Sequence, residues 1–131
     1  MTIRTRAITG LVEDIQTATG YKGYRGLKFL HEINDFPSFY VHAGAENRTH
    51  YGAGFKLCII DISIRSYNFT DNVVTTEDIA RELETRIQQY RYTNTEIEEA
   101  RVTSLSTDEG MMEPYSVCDI NAQILYRIYK Q

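Results

Sequence analysis

The 131-residue sequence contains no tryptophan, only two prolines and two cysteines, and apolar runs that extend for just a few residues. A helix needs about 20 consecutive apolar residues to span a bilayer, so the sequence predicts no membrane association. The first residues lack the apolar segment of a secretory signal, which indicates a cytosolic compartment. In that compartment Cys58 and Cys118 are expected to stay reduced and buried, whether or not their strands are neighbours.

The scarcity of histidine and cysteine also limits the chemistry that the chain can support. His42 and His50 have no Cys or carboxylate at ligand spacing, whereas zinc sites use closely spaced sets of N and S ligands. The sequence has no G-x-S-x-G element, no G-x-x-x-x-G-K loop and no G-x-G-x-x-G between a strand and a helix. We therefore predict that the protein is not an enzyme and holds neither a metal nor a cofactor.

Positive charge is scarce in the second part of the chain. Residues 1–56 hold seven Lys/Arg against five Asp/Glu, whereas residues 57–131 hold seven against thirteen. A net charge of -4 opposes the counterion-release binding that nucleic-acid partners require. An acidic surface can instead repel a polyanion and keep it mobile.

Two segments have the periodicity of amphipathic helices, at residues 3–18 and 76–91. Gly20 is placed to end the first helix, and Thr75–Asp78 supplies an N-cap and early acidic residues for the second. Each helix presents one apolar face, formed by Ile8, Leu11, Val12 and Ile15 in the first and by Ile79, Leu83, Ile87 and Tyr90 in the second.

The remaining apolar segments predict strands. The last of them alternates strictly, because every even position from Cys118 to Ile128 is apolar or aromatic, so it should attach the sheet to its helices. The predicted strands lie at residues 27–33, 38–43, 55–67, 95–107 and 116–129, with a loop at 20–26 and a long polar hairpin arm at about 44–54. We therefore predict a single α+β domain over residues 1–131, with two helices packed on one face of a mixed or antiparallel sheet of about five strands.

Two polar segments are candidate contact sites. Tyr24 and Arg25 lie in a loop that interleaves tyrosines with basic residues, which suits stacking on single-stranded nucleic acid, a solvated loop covering the helix–sheet seam, or a subunit contact. The acidic total favours the solvated loop. Asp108 and Glu109 lie in a turn before Glu113, and because adjacent carboxylates at a strand end point apart, a turn fits better than a metal site.

The order of these elements, with Thr107-Asp108-Glu109-Gly110 and Pro114-Tyr115 before the final alternating strand, resembles the tail terminator (tail completion) proteins of long-tailed bacteriophages. The resemblance covers nearly the whole chain. It implies a structural virion protein at the head-proximal end of the tail, assembled in the host cytoplasm. A hexameric ring of this protein would cap the tail tube, stop its polymerisation and offer a surface to the head–tail connector protein.

Ring closure requires two different complementary patches on each subunit. We expect the arm to supply one of them by reaching a neighbouring subunit or the tail tube protein, and the acidic turn at Asp108, Glu109 and Glu113 to meet a neighbour at the rim. Acidic residues of the second half would line a lumen through which DNA passes without specific binding. The residues of the expected arm contact are Glu46, Asn47, Arg48, Thr49, His50 and Tyr51.

Two other functions remain open from the sequence. A head–tail connector or tail-tube component of the same virion would be a ring-forming sheet protein of similar size. A small soluble enzyme or ligand-binding domain would instead be a monomer with a pocket between sheet and helices.

Overall fold

The computed structural model describes residues 2–51, 54–108 and 113–129 of the chain. Its elements in chain order are helix α1 (Ile3–Thr19), strand β1 (Lys22–Arg25), a 3-10 turn (Leu30–Glu32), β2 (Ser38–Tyr51), β3 (Phe55–Phe69), helix α2 (Thr76–Thr93), β4 (Glu99–Thr107) and β5 (Tyr115–Tyr129). The strands form one sheet in the order β1-β2-β3-β5-β4, with β1 parallel to β2 and the other pairs antiparallel. The predicted α+β class, with two helices and a five-stranded sheet, is confirmed.

The centre of the sheet is the long antiparallel pair β3–β5. Phe55 lies opposite Tyr129 at one end, and Phe69 lies opposite Tyr115 at the other, with no register shift between them in this fully described pairing. Because side chains alternate between faces, one face of both strands is apolar and buried. Its buried members are Cys58, Ile60, Ile62 and Ile64 on β3, and Cys118, Ile120, Ala122, Ile124 and Tyr126 on β5. The predicted role of the C-terminal strand in the core is confirmed.

Both helices pack their apolar stripes on this same face. Helix α1 ends at Gly20, which has a positive φ of 78° and donates its N–H to the carbonyl of Gln16 at 2.9 Å. Helix α2 begins with a reciprocal capping box between Thr75 and Asp78. These boundaries confirm the predicted stop and start signals. Neither described helix combines the length and apolar character that a bilayer crossing demands.

A buried hydroxyl links the two packed helices by hydrogen bonds. Tyr90 on α2 donates from its Oη to the carbonyl of Ala7 on α1 at 2.7 Å and accepts from Asn94 Nδ2 at 2.9 Å. A Cβ at position 10 would lie only 2.5 Å from this oxygen, so Gly10 makes the approach possible.

The region between α1 and β2 differs from the prediction. Residues 22–25, predicted as a loop, form β1, whereas residues 27–33, predicted as a strand, contain the 3-10 turn instead. Gly23 permits the first change, because any Cβ there would lie 2.6 Å from Phe39 Cζ. The Glu32 carboxylate causes the second by accepting the N–H of Phe29 at 3.0 Å, which closes a local turn in an apolar segment.

Strand β2 is also longer than predicted. Residues 44–51 do not form a loop but continue the strand to Tyr51, which pairs with Phe55. A bulge between Ala43 and Glu46 interrupts the register with β3. We refer to the extension of β2 beyond this bulge, with the part of β3 that pairs with it, as the arm.

The cysteines lie far apart on the buried face. Cys58 is opposite Tyr126, whereas Cys118 is opposite Ser66, a separation of about 26 Å at 3.3 Å per residue. Both are free and fully buried. Burial raises the pKa of the Cys118 thiol to about 11, so this side chain behaves as a small apolar residue.

The packing predicts a contrast between two apolar truncations. Ile124→Ala removes a side chain with no exposed surface from the middle of β5, and we expect it to lower the free energy of unfolding by about 2–5 kcal/mol. Val73→Ala alters a side chain that is 95% exposed, and it should change the free energy of unfolding by less than about 0.5 kcal/mol. Urea denaturation followed by circular dichroism measures both, and equal effects would contradict the described core.

Candidate assembly surfaces

The sheet face opposite the helices is polar along its middle. Side chains of β3, β4 and β5 that point away from the core form this strip, which we call the polar face. Its members are Asp61, Ser63, Arg65, Arg101, Ser104, Asp119, Asn121 and Gln123.

An ion pair between Arg65 and Asp119 dominates one half of the polar face. The guanidinium contacts both carboxylate oxygens, at 2.6 Å and 3.1 Å, in bidentate geometry. This hydrogen bonding raises the pKa of Arg65. Both residues lie opposite each other in the β3–β5 register, so the central pairing brings them together.

A neutral amide organises the other half. Gln123 donates to Asp61 Oδ1 at 3.0 Å and accepts two hydrogen bonds from Arg101, at 3.0 Å and 2.8 Å. Asn121 donates to Ser104 at 2.9 Å. These cross-strand bonds satisfy the polar side chains mutually, and a cavity lined by Leu27, His42 and Arg65 lies beside Asn121.

Apolar side chains border the polar face at the end where β3 stops and β5 starts. The rings of Phe36, Phe69 and Tyr115 form a cluster with centroids 4.5–5.6 Å apart, in which Tyr115 stacks on both phenylalanines. Phe69 is 37% exposed, whereas the exposed Leu27 lies beside Arg65 and Asn121 on the polar face. Exposed large apolar residues of this kind are typical of contact surfaces. We call this the aromatic end.

The arm is a paired part of the sheet and is anchored by Glu46. This carboxylate accepts hydrogen bonds from Tyr126 Oη at 2.9 Å, Arg48 at 3.0 Å and Arg4 at 3.5 Å. Arg4 also donates to the carbonyl of Gly44 at 2.8 Å and so fixes the bulge. Glu46, expected from the sequence to reach a neighbouring subunit or the tail tube protein, is therefore bound within its own subunit, and its side chain is only 11% exposed.

The surroundings of Glu46 favour its ionised form. Burial of the carboxyl opposes ionisation, but hydrogen bonds from Tyr126, Arg48 and Arg4 outweigh this and hold the pKa of Glu46 below its usual value. Burial and the adjacent carboxylate raise the pKa of Tyr126, which remains a donor. The anchor is therefore a carboxylate bound by one phenol and two guanidinium groups.

The other predicted arm residues lie further along β2. Asn47, Arg48 and Thr49 are exposed, so their side chains are available to a partner. The backbones of His50 and Tyr51 pair with Lys56 and Phe55 on β3. This part of the chain therefore presents contacts from a strand and not from a loop.

The two lateral edges of the sheet differ. At one edge, β1 covers β2 only from Ser38 to Val41, which leaves the outer side of the arm without a strand partner in the described part of the chain. At the other edge, β4 pairs with β5 alone. A second bulge, between Val102 and Ser104, interrupts β4. Unpaired edges invite strand addition, and bulges restrict it to short stretches.

Tyr24 and Arg25 lie on β1, at the first of these edges. The Tyr24 ring packs on the side of the sheet away from the helices, between the ammonium groups of Lys22 and Lys28 at 5.9 Å and 5.4 Å from its centroid. Arg25 is exposed. Tyr21, in contrast, packs against the main core at the helix–sheet seam.

The acidic turn between β4 and β5 lies at the opposite edge. Asp108 donates its N–H to the carbonyl of Val117 at 3.0 Å, and Glu113 is exposed just before β5. Glu109 lies outside the described residues. The described members of the turn therefore occupy the same end of the sheet as the aromatic cluster.

Sequence reasoning missed the polar face, the aromatic end and the Glu46–Tyr126 contact. The alternation of polar residues on the predicted strands shows which side chains share a face, but pairing Arg65 with Asp119 also requires the register. Tyr126 falls on a core-facing position by periodicity, yet its hydroxyl bonds to a residue 80 positions earlier.

Comparisons with known proteins agree across most of the chain. A family model described as "Bacteriophage Tail Tube Terminator Protein" matches residues 8–131. The chain is also 28% identical over 110 residues to the tail tube terminator protein p142 of Escherichia phage T5, covering 73% of this chain and 68% of that protein. A chain from the virion of a native gene transfer agent particle has the same fold, with a TM-score of 0.58 at 9% identity over 92% of each chain.

The Glu46 anchor predicts a pH-dependent loss of stability. A lowered folded-state pKa means that ionised Glu46 stabilises the protein above the unfolded value near 4.5, and that this stabilisation disappears as the pH falls through the folded value. Glu46→Gln should therefore lower the free energy of unfolding by about 1–3 kcal/mol at pH 7 and by much less near pH 3. Urea titrations across this range measure the difference.

Glu113→Gln is the matched control, because this side chain is exposed. It should leave stability nearly unchanged at every pH. A Glu46→Gln effect that is constant from pH 7 to pH 3 would contradict the ionised anchor.

Proposed function

The chain belongs to the bacteriophage tail tube terminator family, and from that premise we propose that its copies close into a ring on the tail tube. The protein is a structural, tail-terminating component of the phage virion. The ring would sit at the head-proximal end of the tube, stop its growth and present its free side to the head–tail connector protein. The observation that carries the proposal is the family match over residues 8–131.

The two different sheet edges support ring closure. A ring requires heterologous contacts, in which one patch of a copy meets a different patch of the next. Strands β2 and β4 run in opposite directions, so β2 of one copy beside β4 of the next would be antiparallel, like most pairs within the sheet. We propose six copies, the number that the family resemblance implies.

The arm supplies a contact that strand pairing alone would not. Asn47, Arg48 and Thr49 expose their side chains on an extension whose position Glu46 fixes. We assign this extension to contact with a neighbouring subunit or with the tail tube protein. The backbones of His50 and Tyr51 belong to the same extension.

The opposite end of the strands suits the second axial contact. The aromatic end exposes Phe69, at 37%, with Glu113 nearby at the start of β5. A ring that joins a tube to a connector needs two distinct end surfaces, and the arm and the aromatic end lie at opposite ends of the β3–β5 pair. We assign one to the tube and the other to the connector.

The polar face suits the lumen of the ring. DNA must pass there without being held, so cations on the wall must be neutralised. Arg65 is paired with Asp119, and Arg127 is paired with Glu98 at 3.1 Å. We propose that these carboxylates, with Asp61, mask the guanidinium groups from DNA phosphates.

A non-catalytic role is consistent with this assignment. Across residues 2–51, 54–108 and 113–129, no group of three or more His, Cys, Asp or Glu could hold a metal ion. The space between helices and sheet is filled by side chains such as Leu83 and Ile60, which have no exposed surface.

Electron microscopy and a tube-growth assay test the proposal directly. Purified protein should form rings, alone or on tubes, with a mass that is a multiple of 15.2 kDa. Its addition to polymerising tail tube protein should arrest tube length. A protein that stays monomeric in the presence of tubes and leaves their length distribution unchanged would overturn the proposal.

The lumen assignment predicts that removing two carboxylates creates DNA affinity. Asp119→Asn with Glu98→Gln releases Arg65 and Arg127, so the assembled protein should retain double-stranded DNA in a gel-shift assay at low salt. Retention should decrease as salt increases.

Glu82→Gln with Glu84→Gln is the matched control, because it releases Arg86 and Arg81 on α2 with the same change in net charge. It should retain less DNA than the polar-face variant. Equal retention by the two variants would show that the polar face has no special relation to DNA.

A further inference from the structure

We infer that opposite charges at the two ends of one row of the sheet select the contact between neighbouring copies, with the basic β1 edge of one copy against the acidic β4–β5 turn of the next. This inference rests on the ring proposed above and specifies which side chains meet in it.

The first edge carries concentrated positive charge. The segment from β1 to β2 contains Lys22, Arg25 and Lys28 against the two carboxylates Glu32 and Asp35, and the three cations come first, within residues 22–28. Lys22 and Arg25 are exposed, and none of the three forms an ion pair with a carboxylate in the described part of the chain. The Tyr24 ring lies near Lys22 and Lys28 and holds their ammonium groups at this edge.

The opposite edge carries the complementary charge. Residues 107–115 contain Asp108, Glu109 and Glu113 and no Lys or Arg. Of the two described carboxylates, Glu113 is exposed and Asp108 is half-buried. This turn therefore offers negative charge on the side of the sheet furthest from β1.

The sheet register places one member of each group, Lys22 and Asp108, on the same row, while Arg25 lies three residues further along, on the row that reaches Leu105. Lys22 pairs with Ser38, Ser38 with Tyr67, and Tyr67 with Val117, whose carbonyl accepts the N–H of Asp108. One row thus begins at a cation and ends at a carboxylate. If copies are related by rotation about an axis along the strands, the carboxylate end of one row meets the cation end of the next.

Strand pairing alone specifies this contact poorly. Strand β1 is only four residues long, one bulge separates the arm from the rest of β2, and another interrupts β4. A continuous ladder of hydrogen bonds between copies therefore has no long straight edge to follow. Charge complementarity can set the register between copies instead, because alignments that bring like charges together are disfavoured.

Paired charge reversals test the inference. Lys22→Glu with Arg25→Glu makes both edges acidic, and Asp108→Lys with Glu113→Lys makes both edges basic. Each variant alone should weaken every contact on the order of tenfold or more, so rings should be lost at concentrations where the natural sequence forms them. Native mass spectrometry and electron microscopy measure the assembled fraction, and circular dichroism verifies folding.

Combining the two charge reversals provides the decisive experiment. One chain with all four substitutions restores opposite charges at every contact and should form rings again. An equimolar mixture of the two defective variants should also assemble into rings in which they alternate, provided that the number of copies is even. Arg81→Glu with Glu84→Lys is the control, because it exchanges charges within one pair on α2 and should assemble normally.

The outcomes separate this inference from the proposed function. Two results would overturn the charge pairing but not the ring. In the first, both reversed variants form rings as stable as those of the natural sequence. In the second, the four-substitution chain folds but does not regain ring assembly. A natural sequence that never forms rings, even on tubes, would overturn the ring itself.

Discussion

The unbroken pairing of β3 with β5 is the constraint on which the rest of the molecule depends. Its register from Phe55–Tyr129 to Phe69–Tyr115 assigns every central side chain to one of two faces. One face collects the isoleucines that both helices cover, and the other collects groups such as Arg65 and Asp119. A slip of one residue in either strand would exchange the two sets, so the apolar burial itself enforces the polar face.

Placing both helices on one side gives the protein a protected side and an available side. The available side has a smaller buried cluster around Tyr40, Tyr67 and Val117. Elsewhere its polar groups satisfy each other across strands, as Gln123 does between Asp61 and Arg101. Lateral edges and strand ends are then the places where other molecules can bind. A subunit of a structural assembly needs such surfaces more than it needs a pocket.

Local patterns in the sequence were sufficient for the parts of the fold that depend on local chemistry. The apolar stripes, the stop at Gly20 and the capping box at Thr75 predicted both helices, and alternation predicted the central strands. The prediction interchanged strand and loop between residues 20 and 33, because β1 forms only through its pairing with β2. The hydrogen bonds to Glu46 were not predicted, because Arg4 and Tyr126 come close to it only once the sheet and α1 have packed together.

The bulge between Ala43 and Glu46 changes which alternate residues of β2 face the helices. Before it, Phe39 and Val41 face the helices, and beyond it the parity changes so that Glu46 faces them, opposite Ile60. Removal of one of the two bulged residues would leave a regular ladder in which Ala43 still pairs with Ile62 and Glu46 with Ile60, so both would go on facing the helices. The length of β2 can therefore change by one residue at the bulge without changing the faces that Ala43 and Glu46 occupy, whereas a deletion within the arm would move some of its side chains to the opposite face.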